Sequence, residues 1–342
     1  MRVAARNTAA GLAAILVFLH YYYRLAVSPT VPERALLTRY MRVAAGTDRA
    51  PDQYRLLIPR IGVGLSHWTG LPLSDVVIWI DGCSLIGGSL LLAWVLHRRG
   101  LATQILPVLL YVTALAGADL ENPRAETMPA FLAVTCVLAA YLEPSRSTHL
   151  LGAAGAVLLA GCRPEMVAAA GAAFGLRWWV DRRAGDLAWT AALGSLGVAG
   201  TLIPIRLYPD TPYLTEVVQI GHNLDPFNAL IPVLACAPLL VFLNRAAIRE
   251  WAPLLAWVGL ELAFTVLVGR IEESRIYFPL AAPVGLVAAH LWAHRTRADR
   301  FRDDLAGQVT RRASSGALPG ELRATAGSSR SPGADGNQEQ DP

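Results

Sequence analysis

The chain has 342 residues, 54% of them hydrophobic and 16% charged, with a net charge of +4 and a mean hydropathy of +0.39. Soluble domains carry about 25% charged residues, so an ordinary soluble protein is excluded. The small positive charge comes without a dense basic helix or an aromatic-basic module, which argues against nucleic acid as a partner. The apolar runs do not alternate, which excludes an outer-membrane barrel.

Those runs are long enough for helices crossing a bilayer core of about 30 Å. In lipid each backbone polar group must be satisfied within its own segment, so the runs are expected to be α-helical. All basic residues are Arg, and there is no Lys. Arg binds phosphate with a two-pronged geometry that Lys lacks. Cys83, Cys136, Cys162 and Cys236 stand singly in apolar runs, with neither metal-ligand nor disulfide spacing.

In chain order, residues 11–27 read as a first span, a signal anchor rather than a cleaved leader. It ends in His20-Tyr21-Tyr22-Tyr23-Arg24, an interfacial aromatic belt. Residues 27–75 then form a long polar loop rich in Arg. Further spans are expected near 75–96, 101–118, 127–142, 149–162, 165–180, 187–205, 227–244, 251–269 and 276–293, about ten in all. The pair 149–162 and 165–180 reads either as two spans or as one re-entrant hairpin. Residues 206–226 form a second long loop, whose Pro, Asp and Asn suit a compact structure on the membrane. Residues 1–294 are thus the membrane domain. From Arg295 the chain turns polar and is expected to be a disordered cytoplasmic tail over 295–342.

Arg2, Arg6, Arg98, Arg99, Arg146, Arg182 and Arg183 fall on one side, which the positive-inside rule makes cytoplasmic. Both long loops then lie outside, in an inner (plasma) membrane protein with both termini cytoplasmic. Arg34, Arg39, Arg42, Arg49, Arg55 and Arg60 break that rule. Either they have an anionic task, or Leu56–Leu73 is an additional span; the first reading is preferred.

Several polar residues suggest chemistry. Asp48 and Asp52 in the first loop fit a general base or ligands of a divalent metal ion, the cofactor this reading admits. The plainer reading is two solvated turn residues. Arg55, Arg163 and Arg275 each lie beside Pro or Tyr at an expected interface, where Arg clamps a phosphate or merely anchors the chain. Glu165 follows Arg163-Pro164 at a helix start and either complements the helix dipole or joins a site. Glu272 lies in the turn before the last span, within i,i+3 reach of Arg275. His20, Asp81 and Glu261 fall inside spans, where an ionisable group is a functional candidate by default. His20 and Asp81 are at similar depth and within range to pair, as a hydrogen bond between helices or as a relay, while Glu261 has no evident partner.

This layout resembles the GT-C superfamily of polytopic membrane glycosyltransferases. The shared features are a cytoplasmic N-terminus, a long first external loop bearing Asp48 and Asp52, a second external loop and about ten spans. The resemblance is one of topology over residues 1–294. It implies an all-α, GT-C-like helix bundle that moves a sugar from a polyprenyl-phosphate donor to an extracytoplasmic acceptor. Asp48 or Asp52 would be the base, and Arg55, Arg163 or Arg275 would grip the phosphate. The implied partners are a lipid-linked sugar donor and membrane lipids. The first loop lacks the family's Asp-x-Asp or Glu-x-Asp pair. The rival reading is a transporter or flippase with His20, Asp81 and Glu261 along its pathway.

Overall fold

The computed structural model describes residues 31–50, 52–119, 124–212, 230–243, 245–268 and 277–314, together with Leu19, His20, Tyr23 and Asn223. Among the described residues the structure is all-helical, with no strand. The α-helices are α1 (Val31–Ala45), α2 (Leu57–Thr69), α3 (Leu73–Arg98), α4 (Ile105–Asp119), α5 (Thr127–Leu142), α6 (Arg146–Cys162), α7 (Pro164–Asp181), α8 (Ala184–Leu207), α9 (Leu230–Phe242), α10 (Arg245–Val268) and α11 (Ala281–Ser314). The chain divides into a large unit, Met1–Ala293, and a small one, His294–Pro342; the site lies in the first.

The centre of the large unit is α5. It is apolar around its whole circumference, and 15 of its 16 residues are buried. A helix without a polar face is satisfied only when other helices surround it. Small residues let the neighbours close in. A Cβ on Gly155 of α6 would sit 2.8 Å from the Ala133 carbonyl oxygen of α5, so only Gly admits this approach. Helix α6 starts with a capping box, in which Ser145 and Thr148 satisfy each other's backbone N–H groups. It meets α7 at a sharp corner, where Arg163 is the joint and Pro164 occupies the first-turn position that Pro tolerates.

Among the described residues three helices are long and apolar enough to cross a membrane: Leu73–Arg98, Ala184–Leu207 and Ile248–Leu267. Helices observed at 127–142, 146–162, 164–181 and 230–242 fall close to the ranges expected from hydropathy. Most of the expected first span lies outside the described residues.

Two differences from the sequence reading stand out. The first polar loop is largely helical: α1 packs on α2, and a 3-10 turn at Asp52–Tyr54 lies between them. Helix α2 has 13 residues, about 20 Å at a rise of about 1.5 Å per residue, too short for an extra span. Gly70 stops it in the left-handed conformation that a C-terminal cap requires. Secondly, α11 runs to Ser314, past the point where the disordered tail was expected to begin. Residues 295–314 include six Arg and three Ala, both good helix formers, and contain no Pro, a composition that supports helix. Residues 315–342 lie outside the described residues.

Candidate functional site

The first loop folds back over one end of the bundle. Helix α1 carries Arg39 and Tyr40 inward, and the 3-10 turn places Asp52 beneath them. The Asp52 carboxylate is only 6% exposed, and its Oδ2 accepts from Arg39 Nε at 3.0 Å and from Arg124 Nη1 at 2.6 Å. Arg124 and Glu126 precede α5. Arg55, three residues after Asp52, donates to Glu126. At the α6–α7 corner, Arg163 donates to Glu165 and, at 3.1 Å, to Glu261 of α10. The Arg163 and Glu261 side chains are 6% and 1% exposed. Burial works against the charge of Arg39 and lowers its pKa, while Asp52 pulls it back up. Burial opposes the charge of Arg55 too, but Glu126, Glu165 and Asp52 outweigh it, so its pKa stands above the ordinary value.

The result is one buried network drawn from five places in the chain. Arg39, Arg55, Arg124 and Arg163 face Asp52, Glu126, Glu165 and Glu261. The two signs balance. Taking charges out of water costs several kcal/mol per ion, and good pairing only roughly repays it. Stability alone therefore gives no reason to build such a cluster. The pairing also leaves gaps: Arg124 Nε, Tyr40 Oη and Glu261 Oε2 are buried without a hydrogen-bond partner among the described residues. Buried polar atoms rarely stay unpaired in native proteins. Burial, with Asp81 nearby, raises the pKa of the Tyr40 phenol well above its usual value.

The remaining expected site residues are placed as follows. Asp48 is half-buried, and its Oδ1 accepts the Arg49 backbone N–H at 2.9 Å. It lies close enough to Arg39 to act on that residue's charge. Asp81 is buried in α3, whereas His20 is exposed. Arg55 and Arg163 are committed to carboxylates rather than standing open. Glu261 has the partner that was not evident from sequence. Arg275 and Glu272 lie outside the described residues. Among the described residues, no three of His, Cys, Asp and Glu converge as a metal site.

Sequence reasoning missed Arg39, Arg124 and Tyr40 as site members. A signal was present for Arg39, since arginines on the wrong side of the positive-inside rule need counter-ions. The two long loops also join: the Ala50 N–H donates to the Pro212 carbonyl at 3.0 Å, and Arg60 donates to the Tyr208 hydroxyl. Gly46 lies against the Tyr208 ring with positive φ, a position that only Gly fills without strain.

Beside the network, α2, α6 and α8 enclose an apolar groove of about 480 Å³ lined by Leu57, Val157, Gly161, Gly200 and Ile203, with Arg60 as its one charged wall. Its walls adjoin the network in sequence, since Leu57 follows Arg55 by two residues and Gly161 precedes Arg163 by two.

Comparison of the chain with family models, characterised proteins and solved structures finds no match.

Proposed function

We propose that this protein is a multi-pass membrane glycosyltransferase of GT-C-like layout, working at the end of the bundle that holds the buried network. In this reading the protein crosses the inner (plasma) membrane about ten times, and the network end faces the extracytoplasmic side. The donor is a polyprenyl-phosphate sugar. Asp48, less enclosed than Asp52, takes the proton of the acceptor hydroxyl. The acceptor oxygen forms a bond to the anomeric carbon while the bond to the phosphate oxygen breaks. The lipid phosphate leaves with the bonding electrons. Asp52 fixes Arg39 and Arg124, and the unpaired Arg124 Nε–H is a donor available to a developing phosphate charge. In a site that excludes water such a preset donor is worth far more than in solution.

The observation carrying this reading is the convergence of four arginines and four carboxylates, from both loop and membrane helices, in one buried cluster. A transport pathway would leave Glu261 open to its cargo, whereas it is tied to Arg163. The test is transfer of radiolabelled sugar from a polyprenyl-phosphate donor in membranes holding the wild type, Asp48→Asn or Asp52→Asn. Label should reach an envelope acceptor only with the wild type. Absence of transfer, together with solute movement that depends on Asp81 and Glu261, would establish the transporter instead. The side of the loop is read separately by labelling Thr47→Cys, an exposed position, in a background lacking the four native cysteines. Labelling in intact cells is expected.

A further inference from the structure

The groove between α2, α6 and α8 has no part in the sugar-transfer step, and its shape points outward. Helix α8 is one of the three helices able to cross a membrane, yet only 17% of its apolar window is buried. Ile61, Val157 and Ile203, which line the groove, are exposed large hydrophobics. Small residues make the floor: Leu57 packs on Gly161, and Gly200 lies against the Ala160 carbonyl. At the α2 wall stands Arg60. Unlike Arg39, Arg55, Arg124 and Arg163, it pairs with no carboxylate among the described residues. Its contacts are the Tyr208 hydroxyl and the Tyr208 ring, 5.9 Å away. Further along α2 and just beyond it, Leu65, Trp68 and Leu71 are exposed. A short helix with apolar side chains bared beside a cation suits the plane of a membrane interface, with attraction to anionic lipid.

We propose that this groove is a binding site for an anionic phospholipid of the surrounding bilayer, with one acyl chain in the slot and the phosphate on Arg60. The charge arithmetic selects Arg60. Each arginine of the neighbouring network already has a carboxylate partner, whereas the Arg60 guanidinium meets Tyr208. Among the described residues Arg60 has no carboxylate partner, and a phosphodiester carries the single charge that matches it. A guanidinium can hold two phosphate oxygens at once. The sideways opening lets a bilayer lipid enter without leaving the membrane. This inference does not depend on the transferase reading.

The experiment uses the full chain purified in detergent, with retained lipid weighed by native mass spectrometry, after exchange into nanodiscs of phosphatidylcholine with or without phosphatidylglycerol. The wild type should retain phosphatidylglycerol in preference to phosphatidylcholine and unfold at higher temperature when it is present. Arg60→Gln should lower phosphatidylglycerol retention about fivefold, the factor corresponding to one arginine beside an anionic surface. Val157→Trp, at an exposed position, should block the slot and abolish retention while leaving Arg60 in place. Tyr208→Phe removes the hydroxyl that Arg60 now meets, but not the cation, and should keep the lipid; this separates loss of the charge from loss of local structure. Equal retention of both phospholipids by the wild type would overturn the proposal, as would unchanged retention in Arg60→Gln. Displacement of phosphatidylglycerol by a polyprenyl phosphate, bound more tightly at the same residues, would also overturn it and assign the groove to a prenyl lipid. Lipid retention is read without sugar transfer, so either property can fail while the other stands.

Discussion

The two ends of the helix bundle handle charge in opposite ways. At the end away from the first loop, arginines close off helix termini. Arg99 donates to the Leu142 carbonyl and pairs with Glu143 at 3.0 Å. Arg177 donates to the Tyr141 carbonyl, binds Asp186 at 2.8 Å and lies 3.7 Å from the Tyr141 ring centroid. Arg182 stacks on the rings of Trp178 and Trp179. Each cation meets orphan carbonyls or the negative end of a helix dipole, so the arrangement is explained by helix termination. At the network end the ion pairs join residues 71, 72 and 98 positions apart, share partners and lie out of water. Helix termination does not require this. On this contrast we propose a structural role for one end and a functional role for the other.

That contrast can be broken at either end. The largest effect is expected from Arg163→Met, which strands Glu165 and Glu261 without their cation. It should lower stability by about 3–5 kcal/mol, read by thermal unfolding in detergent, and the added change Glu261→Gln should recover part of that loss. Asp48→Asn should cut sugar transfer by about 10²–10⁴, the range for a lost general base, with unfolding unchanged. Equal loss of stability and activity would make Asp48 structural. Arg177→Met, at the opposite end, should cost about 1.5–3 kcal/mol and leave transfer by the folded fraction intact. Arg182→Ala should cost less than about 1 kcal/mol, the value of an exposed cation–π contact.

A pH dependence sharpens the picture. The raised pKa of Tyr40 keeps its phenol neutral in the folded state, whereas an unfolded tyrosine ionises near about 10. Its contribution to stability is therefore fully present below that pH and is lost as pH rises toward the folded value. Tyr40→Phe should flatten that part of the alkaline stability curve, measured by intrinsic tryptophan fluorescence between neutral and strongly alkaline pH.

Helix placement was legible because the apolar runs carry it: 127–142 is bounded by Glu126 and Glu143, and Cys162-Arg163-Pro164-Glu165 marks its own corner. Asp52, Arg55, Arg163 and Glu165 could be singled out because charges next to apolar runs are conspicuous. Their partners could not. Nothing local in Arg39 or Arg124 says that both will reach one oxygen of Asp52, because that meeting depends on α1 and the segment before α5 both reaching the Asp52–Tyr54 turn. Glu261 seemed solitary because its cation lies 98 positions away. The first polar segment read as loop because its helices carry Arg34, Arg42 and Arg60 on the exposed side. Ala50, polar by its neighbours, is fully buried through its tie to Pro212. Tertiary contacts decide these positions, and they leave no periodic trace.

The central claim is that chemistry belongs to the network end. Its most direct test is the rate of sugar transfer from a radiolabelled polyprenyl-phosphate sugar by protein purified into nanodiscs, comparing wild type, Asp48→Asn and Arg177→Met at matched folded concentration. The account predicts transfer by wild type and Arg177→Met and a loss of about 10²–10⁴ in Asp48→Asn. Transfer by Asp48→Asn at the wild-type rate, or no transfer by any of the three, would contradict it.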